Sequence, residues 1–208
     1  MNLKNFLKAI SAGFCIAIAG ASFLSVDSSV LGSLLFALGL LTIYVFEFNL
    51  YTGKSCYVID NPKKYLPIAL NAFLGNLVGT YIFAFLLRGT GLDIMVAAQE
   101  ALSHKLAHSY IDMFILSIFC GICMSIAVLG FAKQQDGAGR AVIIILPVMT
   151  FILCHFDHSI ANMFYISAAK SWNLNTVIFT IIAGTGNMVG CNVFPLMIKL
   201  IGKDEDHH

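Results

Sequence analysis

Six apolar segments, each about as long as a bilayer is thick, follow one another along this chain of 208 residues. They cover roughly 6–26, 29–46, 66–87, 108–132, 139–156 and 174–200. A helix needs about 20 apolar residues to cross the hydrocarbon core of a membrane. Only 11% of the residues are charged, whereas a soluble domain has about 25%. The sequence therefore predicts an all-α membrane protein with six transmembrane helices.

The spans leave no room for a sizeable soluble domain. We expect a single transmembrane domain over 1–202 and a disordered polar tail over 203–208. The longer polar stretch 88–107, between the third and fourth spans, predicts a short amphipathic helix outside the bilayer. A net charge of +1, with no long basic run, argues against nucleic acid as a partner.

The Lys and Arg residues predict an orientation in the membrane. An even number of spans places both termini on one side of the bilayer. Nine of the twelve Lys and Arg residues fall on that side. Because basic residues concentrate in cytoplasmic loops, we expect both termini to be cytoplasmic.

The two halves of the chain resemble each other. The segment 75–79, Gly-Asn-Leu-Val-Gly, is echoed by Gly-Asn-Met-Val-Gly at 186–190. Small-residue packing between helices could produce such an echo on its own. Polar interruptions at matching places in the second and fifth spans favour an inverted 3+3 repeat, with halves at about 6–87 and 108–200. Such folds place the transport site where broken helices meet near the midplane.

The two interruptions contain the residues that suggest chemistry. One is Phe-Glu-Phe-Asn-Leu-Tyr-Thr-Gly at 46–53, and the other is His-Phe-Asp-His-Ser at 155–159. A broken helix is tolerated at membrane depth only inside protein or beside a wet cavity, and the ends of half-helices attract anions. His158 can exchange a proton near neutral pH. A lone buried histidine is usually a packing residue, but the adjacent Asp157 and Ser159 favour a functional role.

Histidines and cysteines leave a redox alternative open. His104, His108, His155 and His158 are candidate haem ligands, although His155 and His158 are too close in sequence to bind one haem from opposite faces. The six cysteines lie mostly in apolar stretches, where they are expected to pack as small apolar residues. We therefore expect no metal or other cofactor.

Two motifs resemble a known family. The segment 157–164, Asp-His-Ser-Ile-Ala-Asn-Met-Phe, closely resembles the E-H-S-I-A-N-M signature of the formate/nitrite transporter family, and 50–53, Leu-Tyr-Thr-Gly, looks like its L-F-T-G/S motif. The resemblance covers essentially the whole chain. It implies an aquaporin-like fold in the inner (plasma) membrane and a homopentamer with one pore per protomer. It also implies that the protein is not an enzyme but a channel or transporter for small monovalent anions or their conjugate weak acids, formate first, with nitrite or hydrosulfide next.

The resemblance also implies roles for individual residues. The substrate pathway would include the central histidine His158, Thr52 on the loop that interrupts the second span, the vestibule lysine Lys105, and Asp157. The apolar constrictions would be formed by Phe36, Leu40, Leu50 and Phe151. Phe36 and Leu40 are one helical turn apart, and a ring of such residues blocks hydrated ions by dewetting. Without the resemblance, they could equally be packing residues.

Three features depart from the family pattern. Asn49 replaces the usual acidic residue before the Leu50–Gly53 motif, while Glu47 lies two residues earlier. Gly121 occupies a place where many members have an Asn that contacts the histidine, and the stretch between Thr52 and Lys105 is shorter than usual. We expect Glu47 to be paired or directed to a protomer interface. A channel for small neutral solutes, of the aquaporin type, is the alternative function, although the chain lacks an Asn-Pro-Ala pair at its helix breaks.

Overall fold

The computed structural model describes residues 3–92 and 94–205, with side chains up to residue 202. All regular elements within these ranges are α-helices. In chain order they are α1 Leu3–Leu24, α2 Ser29–Val45, α3 Tyr51–Ser55, α4 Pro62–Leu87, α5 Met95–Leu106, α6 Tyr110–Lys133, α7 Gly137–Leu153, α8 Ser159–Ala168, α9 Leu174–Cys191 and α10 Val193–Glu205.

Four helical stretches among the described residues are long and apolar enough to cross a membrane. They are Leu3–Leu24, Pro62–Leu87, Tyr110–Lys133 and Leu174–Gly202, the last of which bends at Asn192 between α9 and α10. The shorter helices α2 and α7 are also apolar. The helices predicted for the first, third, fourth and sixth apolar segments are therefore confirmed, each within a few residues of its expected bounds.

The helical path stops at both polar interruptions. Residues 46–50 separate α2 from α3, and residues 154–158 separate α7 from α8. Each break has one residue with a left-handed backbone, Glu47 with φ 53° and His155 with φ 54°. This conformation costs a non-glycine residue about 1 kcal/mol or more. The residue after each left-handed residue donates a backbone hydrogen bond of 2.9 Å to the preceding helix. These bonds run from Phe48 N–H to Ile43 O and from Phe156 N–H to Phe151 O.

The half-helices after the two breaks differ in length and burial. The helix α3 has five residues and ends in a run of turns over 56–60. The helix α8 has ten residues, and all ten are buried. Protein therefore surrounds α8 on most sides, and three of its residues, Ala161, Asn162 and Tyr165, line a cavity.

Glycines allow close contact at two helix crossings. A Cβ atom on Gly13 of α1 would lie 3.0 Å from Gly79 Cα of α4, and one on Gly121 of α6 would lie 2.9 Å from Gly190 Cα of α9. Both distances are too short for a real side chain. The repeated Gly-Asn-x-Val-Gly motif therefore lies at the closest approach in both helix pairs, as expected for small-residue packing between membrane helices.

The segment after α4 contains the predicted short helix. It is α5, which packs against α8 and buries Ala98 and Leu102. Asp93, in the same predicted stretch, lies outside the described residues. Of the predicted disordered tail, residues 203–205 belong to α10, and 206–208 lie outside the described residues.

Candidate functional site

A buried asparagine stabilises the backbone at the first break. Asn76 of α4 accepts a hydrogen bond of 2.8 Å from Tyr51 N–H, the first residue of α3. Its side-chain amide donates to Ala9 O at 2.7 Å and to Asn49 O at 3.0 Å. A broken helix leaves N–H and C=O groups without helical partners. One amide therefore satisfies groups on both sides of the first break and joins them to α1.

Asn187 makes the same bonds at the second break. Its side-chain oxygen accepts from Ser159 N–H at 2.8 Å. Its amide donates to Ser117 O at 2.8 Å and to Asp157 O at 2.7 Å. Sequence reasoning recognised the repeated motif around these asparagines but did not identify their role. The signal that could have found them was a fully polar side chain at matching places in two apolar spans.

The structure brings His158 and Thr52 together. The imidazole Nε2 lies 3.2 Å from Thr52 Oγ1. His158 is also the N-cap of α8, and its Nδ1 accepts a hydrogen bond of 3.2 Å from Ala161 N–H. A neutral imidazole with an accepting Nδ1 has its proton on Nε2. The ring therefore directs an N–H donor towards Thr52, whose hydroxyl can accept it and donate in turn.

Two thiols lie against the backbone of Thr52. The sulfhydryl groups of Cys56 and Cys191 each donate to Thr52 O at 3.3 Å. Both cysteines are fully buried. The sequence predicted apolar packing for the cysteines, and these two in addition provide weak hydrogen bonds that help to fix Thr52.

The residues predicted to form the constriction are Phe36, Leu40, Leu50 and Phe151, and we call this group the apolar plug. All four are at most 2% exposed. The Phe151 ring stacks on the imidazole of His158 with 5.4 Å between centroids, and Phe36 meets Phe151 edge-on at 6.0 Å. Phe151 therefore places the plug directly beside the polar pair of His158 and Thr52. Among the described residues, no other hydrogen bond between two side chains involves an imidazole.

Two cavities border these residues. One, the α5 cavity, has a volume of about 590 Å³ and is lined by His158 and by residues of α5, α8 and the second break. The other, the α3 cavity, has about 380 Å³ and is lined by Leu40, Leu50 and residues of α1 and the first break. His158, which stacks on Phe151, therefore lines one cavity, and two members of the plug line the other.

The α5 cavity contains an unusual concentration of imidazoles. All four histidines of the described residues line it: His104, His108, His155 and His158. Lys105 lines it as well. The residues that the redox alternative proposed as haem ligands therefore share one cavity with the predicted vestibule lysine.

Lys105 forms a short ion pair with Asp157. Its Nζ lies 2.8 Å from Asp157 Oδ1, and the two side chains are 15% and 1% exposed. Asn162 Nδ2 also donates to Asp157 Oδ1, at 3.1 Å. Asp157 Oδ2, Asn162 Oδ1 and Ser159 Oγ have no hydrogen-bond partner in the described part of the chain. Since buried polar atoms are rarely left unpaired, these three atoms, close in sequence to His158, are candidates for hydrogen bonds with water or substrate.

Charged residues also line the α3 cavity. Lys8, Lys54 and Glu47 are among its lining residues. Lys8 Nζ lies 3.8 Å from the Glu47 carboxylate, whose side chain is 85% exposed. Glu47 is therefore paired with Lys8, which was one of the two arrangements expected from the sequence. Asn49 donates to Asn5 O at 3.1 Å and so ties the break to α1.

Gly121 has a packing role that explains its departure from the family pattern. A Cβ atom there would collide with the carbonyl oxygen of Asn187 and lie 2.8 Å from Cys191 N. A side chain at this position would push α6 away from the asparagine that holds the second break.

We therefore expect Gly121→Asn to destabilise this protein although other family members have Asn there. The physical reason is overpacking against backbone, which typically costs about 1–3 kcal/mol. Thermal unfolding in detergent, followed by size-exclusion chromatography, measures the effect. Gly137→Asn is the matched control, because a Cβ at Gly137 meets no atom within 4 Å. Equal stability of the two variants would contradict the packing role.

Comparison with known proteins agrees with the resemblance in the two motifs. The family model described as "Formate/nitrite transporter" matches residues 2–201. The formate channel FocA of Escherichia coli K12 is 29% identical over 79% of this chain, and the match spans 65% of FocA, which is less than two thirds of its length. The transporter YrhG of Bacillus subtilis 168 is 30% identical over 84% of this chain and 71% of its own.

A solved structure has the same fold. The "Pentameric formate channel with formate bound" superposes with a TM-score of 0.81 at 27% identity, over 95% of this chain and 96% of that one. These relatives are channels and transporters in membranes. The family model, the curated relatives and the fold agree, and the chain belongs to the formate/nitrite transporter family.

Proposed function

We propose that this protein is a channel for small monovalent anions or their conjugate weak acids, with formate first and nitrite or hydrosulfide next. The observation that carries the proposal is the buried contact between His158 and Thr52, with one cavity lined by His158 and another lined by Leu40 and Leu50 of the apolar plug. The similarity to FocA and to the formate-bound channel supports formate as the first substrate to test. In this proposal the protein carries out transport and no covalent chemistry.

We also propose that the chain crosses the membrane six times as an inverted 3+3 repeat. The second crossing would combine α2 and α3, and the fifth would combine α7 and α8. The matched bonds of Asn76 and Asn187, and the matched left-handed residues Glu47 and His155, support this arrangement. By the distribution of Lys and Arg, both termini would be cytoplasmic in the inner membrane. The α5 cavity would then open on the opposite side.

Anions would collect in the α5 cavity before they reach the plug. Because Asp157 neutralises Lys105 at 2.8 Å, the pair alone adds little net charge. His104, His108 and His155 line the same cavity and can donate hydrogen bonds to an anion. Acidification would raise the fraction of the substrate that is present as the neutral acid.

His158 and Thr52 would bind the anion without giving up a proton. A cationic ring would need hydrogens on both nitrogens, but Nδ1 already faces the Ala161 N–H donor. Protonation of Nδ1 would break the hydrogen bond that caps α8 and would place two N–H donors in contact. The neutral ring can donate from Nε2, and Thr52 can donate from its hydroxyl. The proton that neutralises the substrate would then come from the acidic bulk solvent by way of water in the α5 cavity, which His158 lines.

The plug would select against ions by desolvation. Moving a bare charge into an apolar environment costs far more than moving a small neutral acid. Phe36, Leu40, Leu50 and Phe151 offer no hydrogen-bonding side chain at the narrowest part of the pathway. A formate ion that takes a proton beside His158 would cross as formic acid and lose the proton in the α3 cavity.

A homopentamer with one pore per protomer is part of the proposal. It is supported by the likeness to the pentameric formate channel and by large apolar side chains on the outside of α2 and α4, such as Leu38 and Leu74, both 54% exposed. Lipid would cover the apolar surface that neighbouring protomers leave free.

Uptake into proteoliposomes tests the function. We expect formate to enter, nitrite and hydrosulfide to follow, and flux to rise as the external pH falls. Acetate serves as the larger control, and empty liposomes give the background for neutral acids. Stopped-flow light scattering on the same vesicles measures water permeability. High water flux without saturable anion flux would instead favour the aquaporin-type alternative.

A further inference from the structure

Two cavities on the outer surface of the helix bundle share a pair of cations. The α4–α9 groove, which we define by Leu77, Tyr81, Trp172 and Val177, has a volume of about 600 Å³ and is mostly apolar. A smaller cavity of about 250 Å³ lies beside the turn after α4 and is lined by Thr90 and Gly91. Arg88 and Lys170 line both cavities.

Arg88 is fixed by a bond to the protein interior, whereas Lys170 lies on the surface. Arg88 Nη1 donates to Ser167 O at 2.9 Å, and the Trp172 indole N–H donates to Ser167 Oγ at 2.9 Å. Ser167 is 1% exposed, so it anchors both side chains from the protein interior. Lys170 is exposed, with a left-handed backbone of φ 54°. Neither Arg88 nor Lys170 has a carboxylate within 4 Å in the described residues.

The arrangement has the shape and charge of one kind of molecule. An apolar groove adjoins a smaller cavity whose lining is about half polar, and both are lined by two cations that pair with no carboxylate among the described residues. A phospholipid has the same order: acyl chain, phosphate, headgroup. Trp and Tyr side chains favour the level of the membrane interface, where phosphates lie, and Lys and Arg side chains near the membrane surface attract anionic lipid headgroups.

We propose that Arg88 and Lys170 bind the phosphate of an anionic phospholipid, with an acyl chain in the α4–α9 groove and the headgroup in the smaller cavity. The site is separate from the α5 and α3 cavities and does not depend on the proposed function. It would occupy the leaflet on the side of α5. Each cation contributes about a fivefold preference for anionic over zwitterionic lipid.

Trp172 makes the proposal directly testable, because it is the only tryptophan in the sequence. The purified full chain is reconstituted in phosphatidylcholine that contains a fixed fraction of brominated phosphatidylglycerol or brominated phosphatidylcholine. Bromine on the acyl chain quenches tryptophan fluorescence at contact. Because each of the two cations contributes about fivefold, we expect brominated phosphatidylglycerol to quench Trp172 at a fraction about 25-fold lower than brominated phosphatidylcholine does.

Variants assign the preference to the two cations. Lys170→Gln should lower the preference for phosphatidylglycerol over phosphatidylcholine about fivefold. The double variant Arg88→Gln with Lys170→Gln should bring this preference ratio close to one. Lys170→Gln removes an exposed side chain, so it tests the proposal even if the double variant folds poorly. Lys63→Gln with Lys64→Gln, which removes two exposed cations elsewhere, should leave it unchanged.

Three results would overturn the proposal. Equal quenching by both lipids would mean that the groove does not select the headgroup. No quenching by either lipid would mean that another protomer covers the groove. Loss of the preference on addition of inorganic phosphate would mean that the cations take a soluble anion in place of a lipid.

Discussion

His158→Phe is expected to lower formate flux into proteoliposomes by about 10- to 100-fold at every pH between 5 and 8. The variant keeps a flat ring of similar size, which can still stack on Phe151. It loses the Nε2–H donor beside Thr52, and a hydrogen bond to a charged group is worth about 1.5–3 kcal/mol. Flux measured with a pH-sensitive dye or labelled formate gives the ratio. A flux within about twofold of the unmodified protein would exclude His158 from substrate binding.

His158→Asn separates hydrogen bonding from proton donation. Its side-chain oxygen can replace Nδ1 as the cap of α8, since Asn is a good N-cap residue, and its amide can still donate. It cannot titrate near neutral pH. We expect reduced flux that still rises on acidification. If the rise disappears in His158→Asn but persists in the unmodified protein, the imidazole itself donates the proton and the proposed mechanism is wrong.

Lys105→Met is expected to lower the free energy of unfolding by about 3 kcal/mol. Its partner Asp157 is 1% exposed, and removal of one member of a buried ion pair leaves a charge that protein does not compensate. Thermal unfolding in detergent measures the loss. Lys8→Met is the matched control, because its partner Glu47 is 85% exposed and an exposed pair contributes about 0–1 kcal/mol.

A second substitution tests the cause. Lys105→Met with Asp157→Asn removes both charges and leaves an amide beside Asn162. We expect this double variant to recover most of the lost stability. Comparable instability of the single and double variants would show that Lys105 stabilises α5 by packing, with little contribution from its charge.

The positions of the helix breaks were predictable from the sequence. Polar residues at 46–53 and 155–159 interrupt segments that are otherwise apolar, and such interruptions are tolerated only inside protein. The prediction that both breaks meet at one site agrees with the 3.2 Å contact between Thr52 and His158. The roles of these two residues in transport remain predictions that the flux measurements test.

Other parts of the site could not be predicted because they depend on distant partners. The asparagines that hold the breaks lie inside a Gly-Asn-x-Val-Gly pattern that small-residue packing explains equally well, and the Asn76 side chain reaches Tyr51, 25 residues away. Lys105 and Asp157 were both predicted as pathway residues. Their direct ion pair joins residues 52 positions apart, and nothing in the sequence pattern indicates that distance.

The Gly121 departure is a further case. The sequence shows only that a small residue replaces a polar one. Its reason becomes visible with the crossing of α6 and α9, where the backbone of Asn187 fills the space that a side chain would need.

The two half-helices at the centre of this molecule depend on their surroundings to different degrees. The helix that follows His158 has ten residues, whereas the helix that carries Thr52 has only five. A helix of five residues is not stable on its own. The position of Thr52 is therefore set by distant partners, the side chains of Asn76, Asn192 and Cys191, which bond to the backbone of this short turn.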